Sequence, residues 1–393
     1  MPHSLGVVSL WWTGGNLVDC AALIRLWFGT GAKDRMARIV YAVAGEGFGH
    51  ASRAHLIGQR FLDAGHEVIF AASLRALQYL RPYFGDRVKE IFGLSYDCHK
   101  GYVAPVATVW KNLSRFRQGH RVNREFFRQV CEPFAPDLVI TDFEPFSAGW
   151  AWRHRVPFIS IDNEHLLTLC RLDHQFRDIG GRLSAAVVVR CHYFGARAYV
   201  ITNFFQAPSK SPAAVLAPPV VRPAIARLQP SDAGPIVVYA TTGTHEDQWR
   251  DVLGRFAPQK FYLYGFNKNL EWKNCVFKEA STEGFATDLA AARGVIASAG
   301  YSLISECLYL RKKMLLLPLV GQYEQLINAR YVERLGLGVW SKQVDETVVS
   351  RFLARIAEPL PPDGRILWPD NEKFFETLQG VLARLDLRAP IRI

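Results

Sequence analysis

Apolar residues in this chain fall into short unbroken runs separated by stretches of helical period. The run over 38–44 (RIVYAVA) is followed by a helical pattern over 52–64, by a turn and a second run over 65–71, and by another helical pattern over 74–84. Two further runs, 136–142 (PDLVITD) and 157–162 (PFISID), each end on a carboxylate. Unbroken runs of this length suit strands buried on both faces, and their alternation with helical patterns predicts a parallel sheet covered by helices. The pattern breaks at 207–234, where APSKSP, APP and PSDAGP concentrate proline and leave little room for regular structure. Beyond it a second alternating set begins, with runs at 236–240, 260–264, 294–297 and 314–317. The expectation is an α/β protein with two doubly wound domains, 36–206 and 235–393, joined by a proline-rich linker over 207–234. Its final helix is expected to pack back on the first domain. Ligands bind such sheets at the carboxyl ends of the strands, so the cleft between the domains is the expected site.

Residues 1–35 differ in texture. They carry Trp11-Trp12 and several glycines without a clear period, and lack the basic start and cleavage site of a secretory signal. They are expected to be an upstream extension, with the native chain starting at Met36; an interfacial anchor using the Trp pair is the alternative. The remaining bulk properties fit a globular protein: 393 residues, 49% hydrophobic and 12% aromatic, suffice for two cores. The seven cysteines form no C-x-x-C pair, which points away from a zinc knuckle or a disulfide frame and toward reduced thiols in a cytoplasmic setting. The apolar run over 314–320 contains a proline and is far short of the roughly 20 residues of a membrane span. A net charge of +11 implies attraction to anions without choosing among phosphorylated small molecules, nucleic acid or an anionic membrane face.

The first run leads directly into Gly45-Glu46-Gly47-Phe48-Gly49-His50-Ala51-Ser52-Arg53. Three glycines at alternate positions allow positive φ and close approach of a polar ligand, and the following helix turns its free N–H groups to the same spot. The spacing is G-x-G-x-G-H rather than G-x-G-x-x-G, which argues against a dinucleotide site. His50 is a candidate base because its ordinary pKa is near neutral, and Asp142, ending a buried strand on the cleft side, is the second. His50 could instead brace the loop or contact a phosphate, and Asp142 could cap the next helix. Glu46 and Arg53 line the same loop, with His165 a weaker candidate. In the second half, Ser298-Ala299-Gly300-Tyr301-Ser302-Leu303-Ile304-Ser305-Glu306 reads as a strand end, a glycine turn and a helix start. Ser302 suits a phosphate and Glu306 a pair of ribose hydroxyls, although a capped helix start accounts for the same residues. The strand over 314–318 is followed by Gly321-Gln322-Tyr323-Glu324-Gln325-Leu326-Ile327-Asn328-Ala329, which brings polar side chains to the next helix opening.

The order S-A-G-Y-S-x-x-S-E, an apolar strand ending in Pro, then E-Q-x-x-N-A resembles the donor-binding region of GT-B glycosyltransferases. It is similar in particular to the family 28 group, which includes the peptidoglycan GlcNAc transferase, and to the UDP-glucuronosyltransferase-like enzymes. The glycine loop resembles that group's N-terminal loop. The resemblance implies two Rossmann-like domains facing a cleft that takes a UDP-sugar as co-substrate, with no other cofactor and no metal. It implies Gly300 and Ser302 at the donor diphosphate, Glu306 at the ribose, Glu324 and Gln325 at the sugar hydroxyls, and Asn328 supporting that turn. Thr242 and Gly243 would form a second phosphate-facing loop, and Phe285-Ala286 would read the uracil through the backbone. Ala299-Gly300 stands where the family often has two glycines, and Arg311-Lys312-Lys313 replaces its usual glycine turn.

The implied reaction is an inverting, metal-independent transfer of a hexose-type sugar to a hydroxyl acceptor, a lipid-linked or cell-envelope acceptor included. A nucleotide-sugar hydrolase or 2-epimerase on the same scaffold, or a non-catalytic nucleotide-sugar-binding protein, are the alternatives. The stretch from Lys100 to Arg128 interleaves basic and aromatic residues. It suits an anionic membrane surface or a plain solvated helix face, and no recognised nucleic-acid motif accompanies it. The expected location is cytoplasmic, with peripheral contact at the inner face of the cell membrane.

Overall fold

A computed structural model describes residues 36–95, 98–99, 102–103, 105–240, 246–279, 281–387 and 390–393. Residues 1–35, expected to be an upstream extension, lie outside the described residues. Residues 36–393 form one compact unit built on two sheets.

The first sheet contains β1 (Arg38–Val43), β2 (Glu67–Ala72), β3 (Val88–Glu90), β6 (Leu138–Asp142), β7 (Phe158–Asp162), β8 (Ala198–Thr202) and β9 (Ala214–Ala217). A two-residue hairpin, β4 (Cys98–His99) with β5 (Tyr102–Val103), lies apart from it. The order is β3-β2-β1-β6-β7-β8-β9, parallel throughout. One correction concerns the linker: β9 and a short helix, Pro223–Ala226, lie inside the stretch read as having little room for regular structure. Apolar Ala214-Val215-Leu216-Ala217 pairs along β8, and the surrounding prolines flank the strand at the sheet edge, where a missing N–H costs little.

Helices α1 (Phe48–Asp63) and α2 (Leu74–Phe84) cover one face of this sheet. On the other lie α3 (Pro105–Phe126), which runs on through a π-helical turn to Phe134, α4 (Pro145–Arg153) and, after the short α5 (Leu166–Leu169), α6 (Ile179–His192). The second sheet has the order β12-β13-β11-β10-β14-β15-β16, from β10 (Ile236–Tyr239), β11 (Phe261–Tyr264), β12 (Leu270–Trp272), β13 (Cys275–Phe277), β14 (Gly294–Ala297), β15 (Lys313–Leu316) and β16 (Gly338–Trp340). Only the edge pair β12 and β13 is antiparallel. After α7 (Pro223–Ala226), its helices are α8 (Glu246–Leu253), α9 (Thr282–Ala291), α10 (Tyr301–Tyr309), α11 (Tyr323–Arg334) and α12 (Glu346–Arg355). The last helix, α13 (Asn371–Leu382), buries Phe374, Phe375, Leu378 and Leu382 in the same cluster as Ile57 and Phe61 of α1.

A shared apolar core joins the halves: Leu166, Phe204 and Phe205 cluster with Ile304, Tyr323 and Ile327. The Phe205 ring stacks on Tyr331 at 3.6 Å between centroids. In each sheet the strand order reverses beside the first strand, between β1 and β6 and between β10 and β14. Those two switch points are where side chains and loops converge on a ligand in doubly wound folds.

Candidate active site

At the first switch point Val43 and Asp142 end β1 and β6 side by side in register. The chain leaves β1 through a turn with Gly47 at φ +82°, a left-handed value that a side chain would strain. Helix α1 then begins at Phe48, four residues earlier than the periodicity suggested, so Gly49 and His50 belong to its first turn. Gly45 and Glu46 remain in the turn before it, Glu46 half-buried. The early start puts His50 and Arg53 one helical turn apart on one face, both turned to Asp142. His50 Nδ1 lies 2.6 Å from Asp142 Oδ1. Arg53 donates from Nε to Oδ2 at 2.7 Å and from Nη2 to Oδ1 at 2.6 Å. The Asp142 side chain is fully buried. Glu144, not Asp142, caps α4, accepting from the backbone N–H groups of Phe146 and Ser147.

With Asp142 at Nδ1, the other imidazole nitrogen meets Glu164, whose Oε1 stands 3.4 Å from Nε2. Burial disfavours the charged imidazole, but the carboxylates of Glu164 and Asp142 outweigh it and push the pKa of His50 up to about 9. The Glu164 carboxyl is itself raised by burial, with the His50 charge opposing.

The other wall starts where β14 gives way to Ser298-Ala299-Gly300 and α10. Ser302 lies directly against Gly49: a Cβ on Gly49 would overlap the Ser302 Oγ. One turn on, Glu306 accepts from Arg222 Nε at 2.7 Å and Nη2 at 3.2 Å. Burial raises the Glu306 carboxyl while Arg222 opposes it. Ser52, Arg53, Arg222, Tyr301, Ser302 and Glu306 line a pocket between the halves. In α11, Asn328 Nδ2 donates to Glu324 Oε1 at 2.9 Å and to Ala299 O at 3.1 Å, which ties this helix to the Gly300 turn. Gln325 Oε1 accepts from the Leu319 N–H at 3.0 Å, and its amide donates to Gln322, so this side chain braces its own turn. Burial, and next the Glu164 charge, push Glu324 up to about 7, which places Glu324 near His50 and Glu164 across the cleft.

The structure therefore brings His50, Asp142, Arg53, Ser302, Glu306 and Glu324 to one interdomain region. Phe285 and Ala286 lie inside the first turns of α9; the Phe285 ring packs on Tyr239 and Tyr264 and its N–H bonds to Ser281 O. Thr242 and Gly243 lie outside the described residues, as do Lys100 and the side chains of Tyr102, Trp110 and Lys111. A second histidine–carboxylate pair occurs one strand along: His165 Nδ1 lies 2.7 Å from Asp162 Oδ2, under Ser160 and Tyr193, whose hydroxyls also reach that oxygen.

Residues 37–357 match the sequence profile described as Glycosyl transferase family 1. The chain belongs to this family. The glycosyltransferase has the GT-B fold, as its likeness to solved structures shows. The calicheamicin glycosyltransferase CalG4 superposes with a TM-score of 0.59 at 15% identity, over 90% of this chain and 100% of that one. LpCGTa, solved in complex with UDP, gives 0.57 at 15% identity over 83% and 91%. MurG of Acinetobacter baumannii gives 0.50 at 11% identity over 81% and 90%. No protein of curated function matches the glycosyltransferase in sequence. Both the GT-B architecture and the transferase class expected from the two motifs are borne out. Among the described residues no helix is long and apolar enough to cross a membrane.

Two residues of the glycosyltransferase site escaped the sequence reading. Glu164 stands two positions past the strand-end Asp162, so the argument that selected Asp142 extends to it. Arg222 sits in the proline-rich stretch, where composition hid a side chain carried across by β9.

Proposed function

We propose that this glycosyltransferase moves a hexose from a UDP-sugar to an acceptor hydroxyl in one inverting displacement, with His50 as the base. The observation that carries the reading is the buried Asp142, held by Arg53 and hydrogen-bonded to His50 Nδ1, which leaves Nε2 as the nitrogen available to an acceptor. Asp142 is then a positioning residue: it fixes the tautomer and stabilises the imidazolium formed during transfer. The acceptor hydroxyl takes the place of Glu164 at Nε2 and gives up its proton there. Its oxygen forms the new bond to the anomeric carbon, while the bond to the leaving diphosphate breaks on the opposite face and its electron pair goes to the phosphate oxygen. The opposed faces of attack and departure invert the anomeric centre.

No metal or further cofactor is invoked. Developing charge on the diphosphate meets the N-terminus of α10, the Ser302 hydroxyl and the Arg222 guanidinium. Glu306 suits the ribose hydroxyls, sharing its oxygens with Arg222, and Glu324 suits a hydroxyl of the transferred sugar. Asn328 orients Glu324, and the Gly47 turn together with the side-chain-free Gly49 lets the two walls approach. LpCGTa is named with UDP and VinC with dTDP. Glu306 favours a ribonucleotide here because a carboxylate with two free lone pairs can hold both ribose hydroxyls.

The test is UDP release from a panel of UDP-sugars with and without hydroxyl acceptors. Acceptor-dependent release with inverted product supports the reading. Acceptor-independent turnover assigns a hydrolase or epimerase instead, and donor binding without turnover assigns a binding protein.

A further inference from the structure

Helix α6 is apolar on more than the face it buries. Val189 is buried in the core beneath the first sheet, yet Ile179, Leu183 and Val187, spaced four apart, are 50%, 59% and 60% exposed. Phe176 before the helix is 89% exposed and Phe194 after it 68%, and Phe194 touches the exposed ring of Trp152. A helix apolar on all sides is ordinarily covered on all sides. Arg177, Arg182 and Arg190 flank the stripe, all exposed and in no ion pair among the described residues. The nearby acids are spent: Asp178 pairs with Arg330 at 2.6 Å, Asp173 pairs with Arg334, and Asp162 is buried.

We propose that this face of α6 docks the glycosyltransferase on an anionic lipid surface. Arginines with exposed aliphatic, Trp and Phe side chains match the two layers of such a surface, phosphate outside and hydrocarbon within. A second copy of the chain fits worse, since a two-fold contact would set this unpaired arginine cluster against itself. The stripe also borders the cleft: His174 Nδ1 lies 2.7 Å from the Tyr323 hydroxyl, and Gly181 packs against that ring at the start of α11, the helix that carries Glu324. Docking brings the cleft to the lipid, so the acceptor class it selects is a membrane-dissolved alcohol. That consequence rests on the transferase reading above; the binding itself does not. The surface differs from the basic 100–128 stretch singled out in the sequence, whose described cations Arg115, Arg117, Arg121, Arg124 and Arg128 accompany, among the described residues, only Phe116 and Val122 as exposed large apolar residues.

The experiment is flotation of the full chain with vesicles of phosphatidylcholine alone or mixed with phosphatidylglycerol, beside Leu183→Ser/Val187→Ser and Arg182→Glu/Arg190→Glu. Binding is expected on mixed vesicles, about tenfold or more weaker on neutral ones and in either double variant. All forms should keep the wild-type Tm and the wild-type turnover of a soluble acceptor. Failure of the full chain to bind mixed vesicles overturns the proposal, as does undiminished binding by both variants, which puts the contact elsewhere. A dimer that Leu183→Ser/Val187→Ser dissolves, seen by light scattering, also overturns it and makes the face a self-interface. Absence of turnover by any form, with vesicle binding intact, sinks the transferase reading and leaves the lipid contact standing.

Discussion

His50 with Asp142 and His165 with Asp162 are the same two side chains at the ends of adjacent strands, yet the first histidine is 18% exposed and the second 5%. Both aspartates are buried and each accepts from an imidazole Nδ1, at 2.6 and 2.7 Å. They differ in what else reaches the carboxylate. Asp142 is held by the guanidinium of Arg53, and the side chain of its histidine remains 18% exposed. Asp162 instead takes Ser160, Tyr193 and the His165 backbone N–H, and the His165 ring is enclosed by Phe143, Tyr193 and Tyr199. A histidine–carboxylate pair is thus a structural clamp or a base according to whether its second nitrogen has an exit.

The largest expected effect breaks the first pair. His50→Ala should lower kcat by about 10³-fold while the affinity for UDP, read by calorimetry, changes little. A variant that keeps full turnover removes His50 as the base. Asp142→Asn should cost about 10²-fold or more in kcat through the wrong tautomer, with a KM near wild type.

The second pair should answer in stability. His165→Ala leaves Asp162 buried without its cation, at a cost of about 3 kcal/mol in denaturant unfolding, while kcat per folded molecule stays within a few-fold. Burial works against the Asp162 charge, yet His165 and the Ser160 hydroxyl hold its pKa well below the usual carboxylate range. A carboxylate with a depressed folded pKa stabilises above its unfolded pKa, and that contribution is lost as pH falls through the folded value. Asp162→Asn should therefore flatten the acid side of the stability profile, and Asp142→Asn should show its main loss in turnover. A collapse of kcat in His165→Ala at unchanged stability would erase the distinction.

Glu306→Ala tests the opposite wall. Loss of charged hydrogen bonds of this kind should weaken UDP binding about 10- to 100-fold, and less for a 2′-deoxy analogue, which has fewer bonds to lose. Equal losses for both nucleotides would remove the ribose role.

The distinction between the pairs was only half legible in the sequence. Strands 136–142 and 157–162 declared themselves by their apolar runs, and both terminal aspartates followed from the rule that such ends face ligands. The rule could not separate them, because the partners that decide, Arg53 and Tyr193, come from other segments. The helix starting at Phe48 was also hidden, since the glycines that read as a loop continue into its first turn. The donor motif was more legible, its residues lying close together along the chain. Even there, the Arg222 partner of Glu306 crosses 84 positions from a stretch read as linker.

The smallest effect asks how far the charge beside His50 tunes it. Burial lowers the pKa of this imidazole, and Glu164 makes the first opposing contribution, ahead of Asp142, to a value of about 9. A base must be neutral to act, so kcat/KM for the free enzyme should climb about tenfold per pH unit below that value and level off above it. Glu164→Gln keeps the shape but removes the charge, so the inflection should move to lower pH and the rate at neutral pH should rise. The stability effect runs the other way. A histidine with a raised folded pKa stabilises fully below its unfolded pKa and loses that contribution as pH rises through about 9, so the variant should lose some stability at pH 6 and almost none at pH 10. An inflection unmoved by Glu164→Gln would place the controlling charge on Asp142 alone, and the two pairs would then differ only in exposure.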